Sequence, residues 1–317
     1  MFSFFKFLQS SLKTLKQKKG LWFTVLGILS ITGIFLSIYL LSHMTQNASK
    51  EVYESISSGY NKSFKNRLND KNREFNRIIS SILSNKTLVE EIAANNLINV
   101  GESILSYNEN FSKTPLSTLK LSFYPVINQV NQYRNSINNS IASKNKTFGI
   151  EVLLDGIFIV YIQPIVVEDR IIGVLELKEE LRTLKSEYTR ENSIFLFMLE
   201  SKMLNKLSIK SRTGKYREVI DEVYVEEQKY DGQFFAKIIE NGKESYKELL
   251  DVGYSVDDQY FRSIRKVSDI DGNVIGVIVL GQTVADSGAF VNIVDRMTKT
   301  VTTVALGLVI SILLFMF

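Results

Sequence analysis

The sequence predicts an α+β protein: a long N-terminal helix continuous with a membrane span, two tandem modules with antiparallel sheets, and a second membrane helix. Three observations predict it. Two charge-free apolar runs, 21–41 and 301–317, bracket a region of mixed polarity. An apolar stripe at helical spacing extends from the first run. A strand, an acidic turn and an Ile-Gly-Val strand occur twice, and such internal similarity marks a repeated unit.

Composition narrows the function classes. The chain has 317 residues, 45% hydrophobic and 23% charged, with 20 Phe and 14 Tyr. Such content excludes a disordered chain, which lacks the apolar residues to offset chain entropy. The absence of cysteine excludes disulfide scaffolds, thiol catalysis and cysteine-bound metal. A single histidine, His43, argues against histidine metal sites and histidine acid–base chemistry. No Ser/His/Asp set or Gly-rich phosphate loop is present, so no enzyme and no cofactor are expected.

The net charge of +4 is unevenly spread. Residues 1–20 hold Lys6, Lys13, Lys16, Lys18 and Lys19 and no acid; the remainder has 33 basic against 34 acidic residues. A sustained basic surface for nucleic acid is therefore not expected. A lysine cluster before an apolar run instead marks a cytoplasmic tail under the positive-inside rule.

Leu21–Leu41 is 21 residues without charge, with Trp22 and Tyr39 near its ends. A helix of that length covers about 30 Å, the thickness of a bilayer core. Transmembrane helix 1 is expected there. From 43 to 95 one long stalk and dimer helix is expected. It has no proline, and its stripe runs through Val52, Ile56, Tyr60, Phe64, Leu68, Phe75, Ile79 and Ile82.

A first, membrane-distal module is expected over 96–190. Residues 96–147 read as irregular, rich in Asn and Ser with Pro115 and Pro125. Phe148–Leu154, the pair Asp155-Gly156, Ile157–Ile165, a turn at Glu168–Arg170 and Ile171–Leu177 then read as a three-stranded meander, followed by a helix over 178–188. Asp-Gly between β-branched runs is a strong hairpin signal.

A membrane-proximal module is expected over 191–298. Ile194–Leu199 reads as a buried strand, and Gln259–Val267, a turn at Asp269–Asn273 and Val274–Gly281 repeat the hairpin. Asp269, Asp271 and Asn273 lack the closing Glu of a calcium loop and read as turn chemistry. Phe158–Leu177 and Tyr260–Leu280 share the pattern, with Gly173 and Gly276 in equivalent places. Val301–Phe317 is expected to be transmembrane helix 2, with the chain a fragment of a longer protein.

Several short motifs carry a resemblance. They are Ser122-Phe123-Tyr124, Tyr133-Arg134, Glu151-Val152, Pro164 and Glu176, with Glu51–Ile56, Asp251–Tyr254 and Tyr260-Phe261. On these, residues 45–298 resemble the double Cache (tandem PAS-like) extracytoplasmic sensory domain of bacterial chemoreceptors and sensor kinases. More narrowly, they resemble the double-sensor subfamily with a Ser-Phe-Leu-Arg element. Pro125 and Val160 stand where that group has arginines, so an anion site built on those cations is altered.

The resemblance implies a ligand-binding set of Tyr124, Arg134, Tyr161, Gln163, Glu151 and Glu176 beneath the first sheet. Arg134 has two readings: contact with a carboxylate ligand, or a structural ion pair with Glu151 or Glu176. The second module shows no matching polar cluster in its hairpin. Implied partners are a second copy in a homodimer, a small polar ligand such as a carboxylate, and the bacterial inner (plasma) membrane. The N-terminus would be cytoplasmic and 43–298 periplasmic or extracellular. The implied function is the sensory portion of a chemotaxis-type receptor. The alternatives are the sensor of a histidine kinase or diguanylate cyclase, and a membrane-anchored interaction protein without a small ligand.

Overall fold

A computed structural model describes residues 19–126, 133–220, 223–226, 232–240, 242–257, 259–286, 299–307 and 310. Most of the expected basic tail, and the C-terminal run beyond 307 apart from 310, lie outside the described residues. The chain divides into two compact units, Met1–Ser55 with Ser287–Phe317, and Ile56–Asp286.

In the first unit the run 21–41 is helical, within helix α1 (Lys19–Leu83). Ile28, Ile31, Phe35, Leu36, Tyr39 and Leu40 are exposed there, as are Val304, Leu306 and Ile310 near the other end of the chain. Among the described residues, no helix is long and apolar enough to cross a membrane. Several side chains of the 21–41 run fall outside that description.

The second unit begins on α1 and corrects the expected helix over 43–95. Helix α1 ends at Leu83, and a separate α2 (Lys86–Ala93) follows. The cause is Asn85, whose side-chain oxygen accepts from the Leu88 amide at 3.4 Å and starts a new helix. Residues 96–147 are also more regular than expected. They hold α3 (Leu97–Ser112), strand β1 (Leu119–Pro125) and α4 (Asn135–Ser143). Asn96 caps α3, and Val100, Ile104 and Phe111 give it a buried side despite its polar content.

The expected hairpins are present as β2 (Thr147–Leu153), β3 (Gly156–Val167) and β4 (Arg170–Glu180). The first sheet has four strands rather than three, ordered β1-β4-β3-β2 and antiparallel throughout. Strand β4 runs on through Glu180, so the helix expected over 178–188 starts later, as α5 (Thr183–Arg190).

The second sheet contains β5 (Ile194–Glu200), β6 (Tyr216–Ile220), β7 (Val223–Glu226), β8 (Tyr254–Val256), β9 (Tyr260–Ser268) and β10 (Val274–Thr283). Short helices α6 (Ser201–Leu204) and α7 (Ile209–Arg212), then α8 (Gly232–Ile239) and α9 (Gly242–Val252), fill the connections. Its order is β6-β7-β5-β10-β9-β8. The stretch β5-β10-β9-β8 repeats β1-β4-β3-β2 strand for strand.

The repeat extends to an irregularity. In β4 the register shifts beside Gly173, and in β10 it shifts beside Gly276, so Ile172 and Ile275 are the corresponding extra residues. Both glycines lack space for a side chain. A Cβ on Gly173 would overlap the Phe123 ring, and one on Gly276 would overlap the Met198 carbonyl oxygen.

Each sheet has one face toward α1 and one toward the connecting helices. Phe64, Phe75, Ile79 and Ile82 of α1 share one apolar cluster with Ile159, Tyr161, Leu175 and Leu177 and with Val267, Ile278 and Leu280. The opposite faces form two smaller cores, around Ile137, Ile162 and Val174 in the first module and around Phe234, Ile264 and Val279 in the second. The stripe expected to serve a dimer is therefore used, from Phe64 onward, inside its own chain.

Glycine substitutions separate the two kinds of site. Gly276→Ala places a methyl against a backbone oxygen and should destabilise by about 1–3 kcal/mol, as overpacking does. Gly59 sits exposed in α1, with open space where a Cβ would stand. Gly59→Ala should stabilise by about 0.5–1 kcal/mol through helix propensity. Urea denaturation of both variants checks the contrast; equal effects would contradict it.

Candidate functional site

On the first sheet, residues alternate between faces with period two. Tyr124 of β1, Glu151 of β2, Ile162 of β3 and Val174 and Glu176 of β4 point to the face covered by α4. Arg134 occupies the N-cap position of α4 in extended conformation, and no side-chain bond caps the helix there. Its side chain is thereby free to reach across the sheet.

Arg134 joins four groups. Its Nε lies 3.0 Å from Glu151 Oε2 and 3.0 Å from Ser136 Oγ, and its Nη1 donates to the Tyr124 hydroxyl at 3.3 Å. Its Nη2 forms an ion pair with Glu176 Oε2. Ser136 in turn donates to Glu151 Oε1 at 2.8 Å. Tyr133 stacks edge-on against Tyr124 and donates to the Pro125 carbonyl at 2.6 Å.

Arg134 thus makes both ion pairs that its structural reading expects, with Glu151 and with Glu176. Its charge is matched by both glutamates, leaving the cluster with one net negative charge. Glu176 is fully buried, and its Oε1 has no hydrogen-bond partner among the described residues. Burial opposes the charge on Arg134, yet Glu176 and Glu151 together hold its pKa above the ordinary value. Burial raises Glu151, against the lowering effect of Arg134 and Ser136. Burial and then Glu176 raise Tyr124.

Tyr161 and Gln163 do not join this cluster. They occupy the alternate positions of β3. Tyr161 is buried on the α1 face, where its hydroxyl donates to Asn76 Oδ1 at 2.7 Å. Gln163 Nε2 donates to the carbonyl of its neighbour Pro164 at 3.0 Å. Two of six expected site residues are thus separated from the other four by the sheet itself.

The second module does hold a buried cation, contrary to the expectation from its hairpin. Arg262 of β9 is 1% exposed. Its Nη1 donates to Asp257 Oδ2 at 2.6 Å and its Nε to the Phe234 carbonyl at 3.3 Å. Its guanidinium lies 5.1 and 5.0 Å from the Phe234 and Tyr260 ring centres. Burial pushes Asp257 up, but bonds from Arg262 and from the Gln259 and Tyr260 amides outweigh it and hold the carboxyl below its usual range. The Tyr-Phe-Arg order marks this arginine as inward-facing, since Tyr260 and Ile264 flank it at period two.

No protein-family model matches the sequence, and no curated protein matches it. Similar solved structures include the extracellular domain of vpHK1S-Z8, described as a histidine kinase. It is 12% identical, with 81% of this chain and 94% of that one covered and a TM-score of 0.38. The sensor domain of the V. cholerae histidine kinase DctB is 14% identical, covering 69% and 98%, with a TM-score of 0.31. The ligand-binding domain of the Pseudomonas fluorescens chemoreceptor CtaA, in complex with L-leucine, is 14% identical, covering 64% and 93%, with a TM-score of 0.28.

The ion cluster predicts a characteristic mutational pattern. Arg134→Ala leaves two buried carboxylates facing each other and should destabilise the ligand-free protein by about 3–5 kcal/mol. Adding Glu176→Gln should recover part of that loss. Denaturation of wild type, single and double variants tests this, and an unchanged midpoint for Arg134→Ala would remove the cluster from the stability account.

Proposed function

We propose that the chain is the ligand-sensing portion of a bacterial transmembrane receptor of the chemotaxis type. In this reading it has a double-sensor kind of double Cache domain, and the polar cluster beneath the first sheet receives the ligand. The observation that carries the proposal is the unpartnered Oε1 of Glu176, a buried acceptor beside an arginine and two tyrosines. An unmet buried acceptor is costly. A ligand ammonium group answers it, and it also balances the net charge of the cluster. A small amine-bearing molecule such as an amino acid is the ligand class that fits.

The same sheet supports a route for the signal. Glu176 faces the cluster, while its neighbours Leu175 and Leu177 face the apolar core shared with α1. Movement of β4 on ligand binding biases the packing of α1, the helix that also contains the charge-free run 21–41. A ligand shifts such an equilibrium only by its differential affinity for the two arrangements. The exposed apolar side chains along that run, beginning at Ile28, favour a lipid environment. The N-terminal lysines favour a cytoplasmic N-terminus with 43–298 outside.

The full chain in detergent, melted against amino acids and their deaminated counterparts, tests the ligand class. An amino acid should raise the melting temperature where its organic acid does not, and Glu176→Gln should abolish the rise. Stabilisation by no compound, or stabilisation that survives Glu176→Gln, would favour an interaction protein instead.

A homodimer is part of the proposal, through the exposed side of α1 rather than its buried stripe. Glu51, Ser55 and Ser58 share one exposed face at helical spacing. Cysteines placed there singly should cross-link between chains in membranes under mild oxidation. Absence of cross-linking at all three would exclude a parallel α1 contact on that face.

A further inference from the structure

The two modules treat their buried arginines unequally. Superposing strand partners through Gly173 and Gly276 makes Arg262 the counterpart of Val160, and Val279 the counterpart of Glu176. Gly281 takes the place of Lys178 opposite Arg262. Arg134 thus bridges two carboxylates, Glu151 and Glu176, whereas among the described residues Arg262 has only Asp257. Its remaining nitrogen, Nη2, is buried without a hydrogen-bond partner among those residues. Where the first module has its second glutamate, the second has a fully buried valine.

We propose that Arg262 is the anchor of a second ligand site, in the second module, for a small monocarboxylate. A carboxylate donated by a ligand would supply the missing acceptor and reproduce the net charge of the Arg134 cluster, two carboxylates on one guanidinium. Charge-assisted bonds of this kind are the strong ones. Asp257 already takes one edge of the guanidinium at 2.6 Å, so repulsion from it selects against dianions. Phe234, Tyr260 and the apolar core around Ile264 and Val279 surround the group and favour a short aliphatic tail. Exposed Gln233 and half-buried Asp257 border the group, and the Tyr260 hydroxyl stands 3.5 Å from Gln233 Oε1. This site is independent of the amine reading of the first module.

The test uses the full chain in detergent, with sodium acetate as probe and sodium chloride at matched ionic strength as control. Melting temperature and titration of 13C-acetate by NMR are the readouts. Acetate should stabilise wild type and broaden in its presence, and Arg134→Lys should leave both effects in place. Arg262→Lys keeps the charge beside Asp257 but removes the second terminal nitrogen and the planar fork that presents it. It should weaken acetate binding about 10-fold or more, the size of a lost charged hydrogen bond. No effect of acetate beyond chloride overturns the proposal. Equal acetate binding by Arg262→Lys overturns it too, even if that variant melts lower. A response lost in Arg134→Lys but kept in Arg262→Lys assigns acetate to the first module and likewise overturns it.

Discussion

The fold of the second unit depends on one constraint, the burial of the α1 stripe against the backs of both sheets. Phe64, Phe75, Ile79 and Ile82 are at most 3% exposed. Each such side chain contributes about 1.5–3 kcal/mol on leaving water. Phe75 meets Phe148 of β2 edge-on, and Tyr60 stacks on Phe261 of β9. Polar bonds fix the register of this packing. Tyr161 in the first sheet bonds Asn76, and Ser263, its counterpart in the second, bonds Ser57 Oγ at 2.7 Å. The repeat therefore includes the way each module holds the helix.

Charged contacts add orientation to that apolar wall. Arg67 lies 4.4 Å above the Tyr188 ring and pairs with Glu187 at 2.9 Å and Glu191 at 2.5 Å. Lys71 reaches Glu179 at 2.9 Å. Burial opposes the charge on both cations, and the neighbouring glutamates more than compensate, raising both pKa values. Glu179 is buried and Glu187 half-buried, so their pairs are screened less than a surface pair and depend more on their partners, whereas Glu191 is exposed and its pair adds little. They tie α1 to α5 and the end of β4, whose other face carries Glu176.

Much of this is legible in the sequence, for identifiable reasons. Asp155-Gly156 and the Asp269–Asn273 turn mark hairpins because their backbone demands select few residues. The Ile-Gly-Val repeat is legible because a close approach at Gly173 and Gly276 admits no Cβ. The break at Asn85 is not, because a capping asparagine does not stand out in an Asn-rich chain. Strand β1 alternates buried Leu119 and Leu121 with exposed Lys120, but it stands alone between helices without a hairpin turn. Kind of residue alone groups Tyr161 and Gln163 with Arg134. Period-two alternation from Ile162 places them on the far side. Arg262 escapes a reading of the hairpin because its partner, Asp257, sits across a turn from β9.

The arrangement of the two arginines bears on how the modules share one helix. Each guanidinium lies on a helix-covered face, and each sheet turns its other face to the same apolar cluster around α1. The turn of the second hairpin also reaches the first sheet. Ile270 donates its amide to the Ile150 carbonyl at 3.1 Å and packs where Gly149 has no side chain. A close-packed interior is stiff, so a displacement of one sheet is not absorbed locally. The back faces of β4 and β10 therefore act on α1 through common neighbours rather than separately. On the proposed reading, a ligand on either helix-covered face would bias the same helix, and the two effects would be coupled to the extent that both displace the same side chains of α1.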